Sequence, residues 1–304
     1  MNTFTMKASV GKLLMDRYLK NIARTLGVTN RVHNGEVSIS WDEIRQGKNE
    51  TIVYLHGFCD MKESFYFAAK TLSETYDIIM PELPGFGNSE KVYDRHYGIR
   101  EYIRWLENFL LSLNVETVHL AGNSMGGAIS AHLAVRHPEK VKSLTLIDSA
   151  GFVVDNYNTF YEEIFEDKSP FLIQSEQEYE IFRERIFFNQ IKLPVFVREY
   201  LIKEMIDNHD WYKKILYDIV DEKSLDESIA NNGSIILNDL FIGTPVPVNI
   251  IWGKEDTIFP CQIGEYAHSR INGSRLRILE DVGHCPQLEN PRQFSRTLKE
   301  LLGA

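Results

Sequence analysis

The chain has 304 residues, 43% of them hydrophobic, enough for a full core; it has no apolar run of 18 residues and no N-terminal apolar h-region, so neither a membrane-spanning helix nor a secretory signal is indicated. The net charge of −10 is carried by residues 155–240, which hold 19 acidic and 9 basic side chains against 24 of each elsewhere, and this speaks against nucleic acid as a partner. Cys59, Cys261 and Cys285 are an odd set without CxxC spacing, which argues against a disulfide framework or zinc site and for reduced thiols in a cytoplasmic protein.

The first thirty residues read as a helix, with Val10, Leu14, Tyr18, Ile22 and Leu26 at four-residue steps and Lys7, Lys12, Arg17, Lys20 and Arg24 opposed only by Asp16. A basic amphipathic helix of this kind can lie in a membrane interface or pack on its own domain. Apolar, β-branched runs then recur between helical patterns: Glu36 to Trp41, Thr51 to Leu55, Asp77 to Met80, Val118 to Ala121, Ser143 to Ile147, Val248 to Trp252 and Arg275 to Leu279. Such alternation predicts an α/β protein with a mostly parallel sheet covered by helices on both faces. One of those helices spans Glu101 to Leu113, with Ile103, Leu106, Phe109 and Leu110 on its apolar face. Another spans Ala128 to His137 and stops before Pro138. From Asn156 to Leu240 the strand pattern is lost, and aromatic and charged residues mix at helical spacing. That reads as a helical insertion, which divides the chain into a core of residues 1–154 and 244–304 and a cap of residues 155–243.

The chemistry centres on Gly122-Asn123-Ser124-Met125-Gly126-Gly127, between a strand and a helix. Glycines at this spacing allow the sharp bend that lifts a serine clear of a sheet, at a helix N-terminus that favours developing negative charge. Serine needs a base, and the base an orienting carboxylate. Gly253-Lys254-Glu255-Asp256 and Glu280-Asp281-Val282-Gly283-His284 both follow strands, at the sheet edge where sites form in parallel sheets. They offer Asp256 and His284, with Asp148, after another strand, and Asp281 as other candidates for the acid. The N–H groups of Phe58, in Leu55-His56-Gly57-Phe58, and of Met125 can converge as an oxyanion hole, His56 then being structural. No HExxH pair is present, and the Gly-x-Gly of Pro84-Gly85-Phe86-Gly87 lacks the rest of a phosphate loop, so no metal or cofactor is expected.

With His56-Gly57-Phe58, Leu83-Pro84-Gly85-Phe86-Gly87, Gly122 to Gly127, Ile147-Asp148-Ser149-Ala150-Gly151, Ile251 to Asp256 and Gly283-His284 in place, the chain resembles the α/β-hydrolase superfamily over nearly its whole length. Within it, the chain is similar to the monoacylglycerol lipase-like branch and related bacterial lipases and esterases. The resemblance implies a Ser124, Asp256, His284 triad, an oxyanion hole at Phe58 and Met125, and a cap over an acyl pocket. It further implies a cofactor-free serine hydrolase acting on monoacylglycerols or other single-chain esters, cytoplasmic or peripherally membrane-associated. The elbow is also similar to that of hydrolases that cleave carbon–carbon bonds in ring-fission products, although these carry Ser-Gly-Pro-Gly where this chain has Phe58-Cys59-Asp60-Met61. A non-catalytic binding protein on the same fold is the reading of another class.

Overall fold

A computed structural model describes residues 3–154, 156–157, 159–220, 235–241 and 243–303. Its strands are β1 (Thr29–Asn34), β2 (Ser38–Ile44), β3 (Thr51–Leu55), β4 (Asp77–Pro81), β5 (Val118–Asn123), β6 (Val141–Ile147), β7 (Val248–Gly253) and β8 (Arg275–Leu279). They form one sheet in the order β1-β2-β4-β3-β5-β6-β7-β8. The pairs β1–β2 and β2–β4 are antiparallel, and all pairs from β4–β3 to β7–β8 are parallel. The helices are α1 (Thr3–Leu26), α2 (Tyr66–Leu72), α3 (Ile99–Ser112), α4 (Met125–Arg136), α5 (Thr159–Phe165), α6 (Glu176–Ile186), α7 (Val195–Asp207), α8 (His209–Ile219), α9 (Cys261–Arg270), α10 (Pro286–Glu289) and α11 (Pro291–Leu302).

Side chains alternate across a strand, so β3 feeds two cores. Val53 and Leu55 join Ile103 and Leu106 of α3 and Ala128 and Ile129 of α4 on one face. Ile52 and Tyr54 join Leu72 of α2 and Phe294 and Leu298 of α11 on the other. Each buried aliphatic or aromatic side chain contributes about 1.5–3 kcal/mol relative to exposure, which makes this two-sided burial the main reason the parallel strands stay together. The parallel register pairs Asn123 with Ile147, Ile147 with Ile251 and Gly253 with Leu279. The carboxyl ends of β5, β6, β7 and β8 therefore lie at one edge of the sheet, and the turns after them carry the functional side chains.

Two elements differ from the sequence expectation. Thr29–Asn34 is an edge strand, exposed at almost every position, so it has no apolar alternation to reveal it. The N-terminal helix forms, and Ile22 and Leu26 of its expected apolar stripe pack on the core, but Val10, Leu14 and Tyr18 are exposed, and among the described residues Ala8 and Gly11 are buried instead. α1 lies so close to α7 that a Cβ on Gly11 would fall 1.7 Å from the Phe196 carbonyl oxygen. Small residues, not large ones, make that contact, and Met6, Leu13 and Leu14 are left facing outwards.

Between β6 and β7 the described residues form α5 to α8. Residues 155, 158, 221–234 and 242 of the expected 155–243 insertion lie outside the described residues. α6 begins at Ser175, whose hydroxyl accepts the Glu178 N–H (3.2 Å), while the Glu178 carboxylate accepts the Gln174 N–H (2.7 Å). α8 is fastened to the loop after β4: Trp211 Nε1 donates to the Gly85 carbonyl (2.7 Å), and the Asp218 carboxylate accepts the Tyr97 N–H (2.8 Å).

Candidate active site

Ser124 sits at the junction of β5 and α4 with φ 53° and ψ −120°. A non-glycine residue in this region carries strain of roughly 1–3 kcal/mol, which the surroundings must hold in place. They do so by close backbone packing. A Cβ on Gly122 would lie 2.2 Å from the Gly126 oxygen, and one on Gly126 2.3 Å from the Leu55 oxygen. The Ser124 N–H donates to the Ile147 carbonyl (3.0 Å), and its own carbonyl accepts from Ala150 (3.1 Å), so the end of β6 and the turn after it fix the elbow. Its side chain makes no capping bond to α4.

His284 and Asp256 are brought together. Their Nδ1 and Oδ2 atoms are 2.8 Å apart, with both residues buried. Asp256 Oδ1 accepts the N–H groups of Ile258 (2.8 Å) and Phe259 (3.0 Å), so the carboxylate cannot rotate away from the imidazole. Trp252 steadies the same turn, its Nε1 donating to the Phe259 carbonyl at 2.8 Å. Among the described residues His284 Nε2 has no hydrogen-bond partner. The backbone N–H of His284 donates to the Ile186 carbonyl at the end of α6 (2.9 Å). Beside it, Glu289 accepts from the N–H groups of Gly283 (2.8 Å) and Asn189 (3.0 Å), and Asn189 Nδ2 donates to the Asp281 carbonyl (2.6 Å).

Asn123 joins the elbow to the histidine loop, a role that sequence reading did not assign to it. Its Nδ2 donates to the carbonyls of Ile147 and His284, both at 3.1 Å, and its Oδ1 accepts from Gln287 Nε2 (3.3 Å). The only sequence signal was an amide at the variable position of Gly-x-Ser. Of the other acid candidates, Asp281 is a turn residue at φ 57° with no side-chain bond to His284. Asp148 lies beside Asp256 and His284, one polar atom from each falling within 4.8 Å of the others, but its Oδ1 takes the Gly253 N–H (2.7 Å). His119 faces the Ser143 hydroxyl (2.8 Å) and His137 faces Glu107 (2.6 Å), so both have structural partners.

The loop after β3 lies against the elbow: a Cβ on Gly57 would meet the Ser124 Cβ at 3.2 Å. Phe58 comes next, and Met125 opens α4 directly after Ser124. Behind the loop, His56 Nδ1 meets the Gly57 carbonyl (2.8 Å) and Nε2 accepts the Leu83 N–H (2.9 Å), which is the structural role expected of it. Next to it Glu82 receives both the Lys62 N–H and the Lys62 ammonium at 3.0 Å, each side chain being 1% exposed. Burial alone would push the Glu82 carboxyl up, but the His56 ring and the Lys62 ammonium beside it hold it at about 2. Glu82→Gln removes one of two carboxylates on the Lys62 ammonium, the other being Glu63 (2.9 Å), so it is expected to cost about 1.5–3 kcal/mol in denaturant unfolding at neutral pH. Because the folded value lies below the ordinary 4.5, the pair contributes fully above that pH and loses its contribution as the pH falls toward about 2. The stability gap between parent and variant should close over that window; a gap of under 1 kcal/mol at pH 7 would contradict this account.

Aromatic rings close over Ser124, which is 7% exposed. The Phe58 ring meets Phe171 edge-on at 5.6 Å and Tyr212 at 6.0 Å, and Phe259 meets Phe160 at 5.2 Å and the His284 ring at 5.6 Å. By contrast Phe165, Phe188 and Phe196 point outwards.

Comparison with known proteins identifies the family. The family model described as alpha/beta hydrolase fold matches residues 50–291. Lipase 1 of Psychrobacter immobilis is 31% identical over 79% of this chain and 73% of its own length. Monoacylglycerol lipase ABHD6 of Homo sapiens is 26% identical over 92% of this chain and 84% of its own. Among solved structures, a membrane phospholipase A described as a bacterial virulence factor superposes with a TM-score of 0.87 at 26% identity, covering 96% of this chain and 91% of that one.

Proposed function

The chain belongs to the alpha/beta hydrolase fold family, and from that premise we propose that it is a serine hydrolase of carboxylic esters in which Ser124, His284 and Asp256 carry the reaction. The observation that supports this most is the buried 2.8 Å contact between His284 Nδ1 and Asp256 Oδ2, with Asn123 tying the strained Ser124 turn to the same loop. His284 Nε2 takes the Ser124 proton as Oγ attacks the ester carbonyl. The developing oxyanion is met by the N–H groups of Phe58 and Met125, a type of contact whose loss costs about 10²–10³-fold in turnover. His284 then protonates the departing alcohol, leaving an acyl-enzyme, and activates the water that releases the acid. Asp256 keeps the proton on Nδ1 and stabilises the imidazolium.

Residues 155–243 act in this reading as a cap over an acyl pocket, with residues 1–154 and 244–304 as the catalytic core; the Phe171 and Tyr212 contacts with Phe58 support it. The substrate is a monoacylglycerol or another single-chain ester, a reading supported by the similarity to proteins named as lipases and monoacylglycerol lipases. No helix among the described residues is long and apolar enough to cross a membrane. The outward Met6, Leu13 and Leu14 of α1, with Lys7, Lys12 and Arg17 around them, support peripheral contact with an anionic lipid surface.

Fatty-acid release from monoacylglycerols of increasing acyl length, in detergent and in anionic vesicles with Ser124→Ala protein as blank, tests the reading. The rate is expected to hold or rise toward long chains and to be higher on vesicles. Activity confined to the shortest chains would replace the lipase reading with a small-ester esterase, equal rates in both media would remove the membrane role, and no release at all would overturn ester hydrolysis.

A further inference from the structure

Asp148 is fully buried at the end of β6, with φ 41° and its N–H donating to the Ile251 carbonyl (3.0 Å). Its carboxyl is half satisfied: Oδ1 takes the Gly253 N–H (2.7 Å), and among the described residues Oδ2 has no partner. A buried polar atom left this way is costly, and an oxygen of the next carboxyl, that of Asp256, lies within 4.8 Å of an Asp148 oxygen. Two buried carboxyls so close, sharing one imidazole, disfavour both being ionised. The number of donors decides which one is. Asp256 receives three, from Ile258, Phe259 and His284, whereas Asp148 receives one.

We propose that Asp148 is a positioning residue for the Asp256–His284 pair, its carboxyl keeping a proton and donating it from Oδ2 as a hydrogen bond to the Asp256 carboxylate. This rests on the reading of Ser124, Asp256 and His284 as the reacting set. Burial, and then the charge on Asp256, push the Asp148 carboxyl well above its ordinary range, in keeping with the donor count. Besides Asp256, the titratable groups around it are His284, whose Nδ1 faces Asp256 Oδ2, and Glu289, Cys285 and Tyr54, each of these three neutral or anionic. The chemical effect is on the base. A donor on Asp256 withdraws part of the negative charge that stabilises the imidazolium, so His284 more readily passes on the proton it takes from Ser124. The same bond holds Asp256 from the side opposite its backbone donors.

Asparagine separates this role from its alternatives, because it keeps an acceptor for the Gly253 N–H and an N–H donor for Asp256 while carrying no titratable proton. The pH dependence of kcat/KM is expected to coincide for parent and Asp148→Asn, within about twofold in rate. Asp148→Ala should move the acid limb up by about one pH unit and lower the neutral-pH rate about tenfold. The His284 ring titration followed by NMR should move in the same direction without reference to turnover. If the Asp148→Ala protein does not fold, the infrared carbonyl band of a protonated buried carboxyl at neutral pH, present in the parent and lost in Asp148→Asn, sustains the proposal, and its absence from the parent overturns it. A collapse of activity or a downward limb shift in Asp148→Asn would mean that Asp148 works as an anion, and an unshifted profile in folded Asp148→Ala would mean that it does nothing; either result overturns the proposal. Ser124→Ala in the same assay keeps the two readings apart, since activity surviving there indicts the reacting set and not Asp148.

Discussion

Ser124→Ala protein is expected to fold as the parent does and to hydrolyse esters about 10⁴- to 10⁶-fold more slowly. The folding half of this expectation follows from the local structure. Ser124 holds its turn through backbone bonds to Ile147 and Ala150, and its side chain makes no capping bond, so alanine removes only the hydroxyl. Alanine also carries the same strain at φ 53° as serine does. The catalytic half follows because no second nucleophile stands near His284: Cys285 is adjacent in sequence, but burial pushes its thiol well up, away from the reactive thiolate. The rate that remains should reflect oxyanion stabilisation and binding alone, about 10³–10⁴ above water. Steady-state hydrolysis, intact-mass detection of a fluorophosphonate adduct and a thermal melt together decide the matter. An adduct on the variant, or a rate within tenfold of the parent, would remove Ser124 from the mechanism.

Asp256→Asn should lower kcat by about 10⁴-fold with the melt nearly unchanged. The hydrogen-bond pattern says why so small a change is so damaging. Two N–H groups, of Ile258 and Phe259, require an acceptor at Oδ1, so the new amide must place its carbonyl there. Its NH₂ is then turned toward His284 Nδ1, which can accept that contact only as an unprotonated nitrogen. The imidazole proton moves to Nε2, the atom that has to take the proton from Ser124, and the base is lost while the fold is kept. A loss of under a hundredfold would point instead to Asp148 or Asp281 as the working acid.

The parallel strands were legible because burial on both faces leaves continuous apolar runs, as in Thr51–Leu55 and Val118–Asn123, both buried throughout. The turns after them were legible for a different reason: close backbone approach at Gly122 and Gly126 allows no side chain, so the chemistry is written in glycine spacing. Exposed β1 offered no such signal, since it is held to β2 by the backbone ladder and by polar side chains, Asn30 to Ser40 and Asp42 and Arg31 to Glu43, and not by an apolar face. The α1 surface misled for a related reason. A stripe of large residues suggests a buried face, but the contact with α7 requires small ones, and Ala8 and Gly11 give no weight to a periodicity count. Asn123 stayed hidden, and Asp148 was visible only as a candidate acid, because their partners are a carbonyl 161 residues away and a backbone N–H 105 residues away, relations that exist only after the sheet has formed.

The hydrogen bond from the His284 N–H to the Ile186 carbonyl links the base to the helical insertion, and the Glu289 and Asn189 contacts reinforce it. A shift of the α6 end relative to the turn after β8 would break these bonds, so the packing of the insertion and the order of the histidine loop rise and fall together.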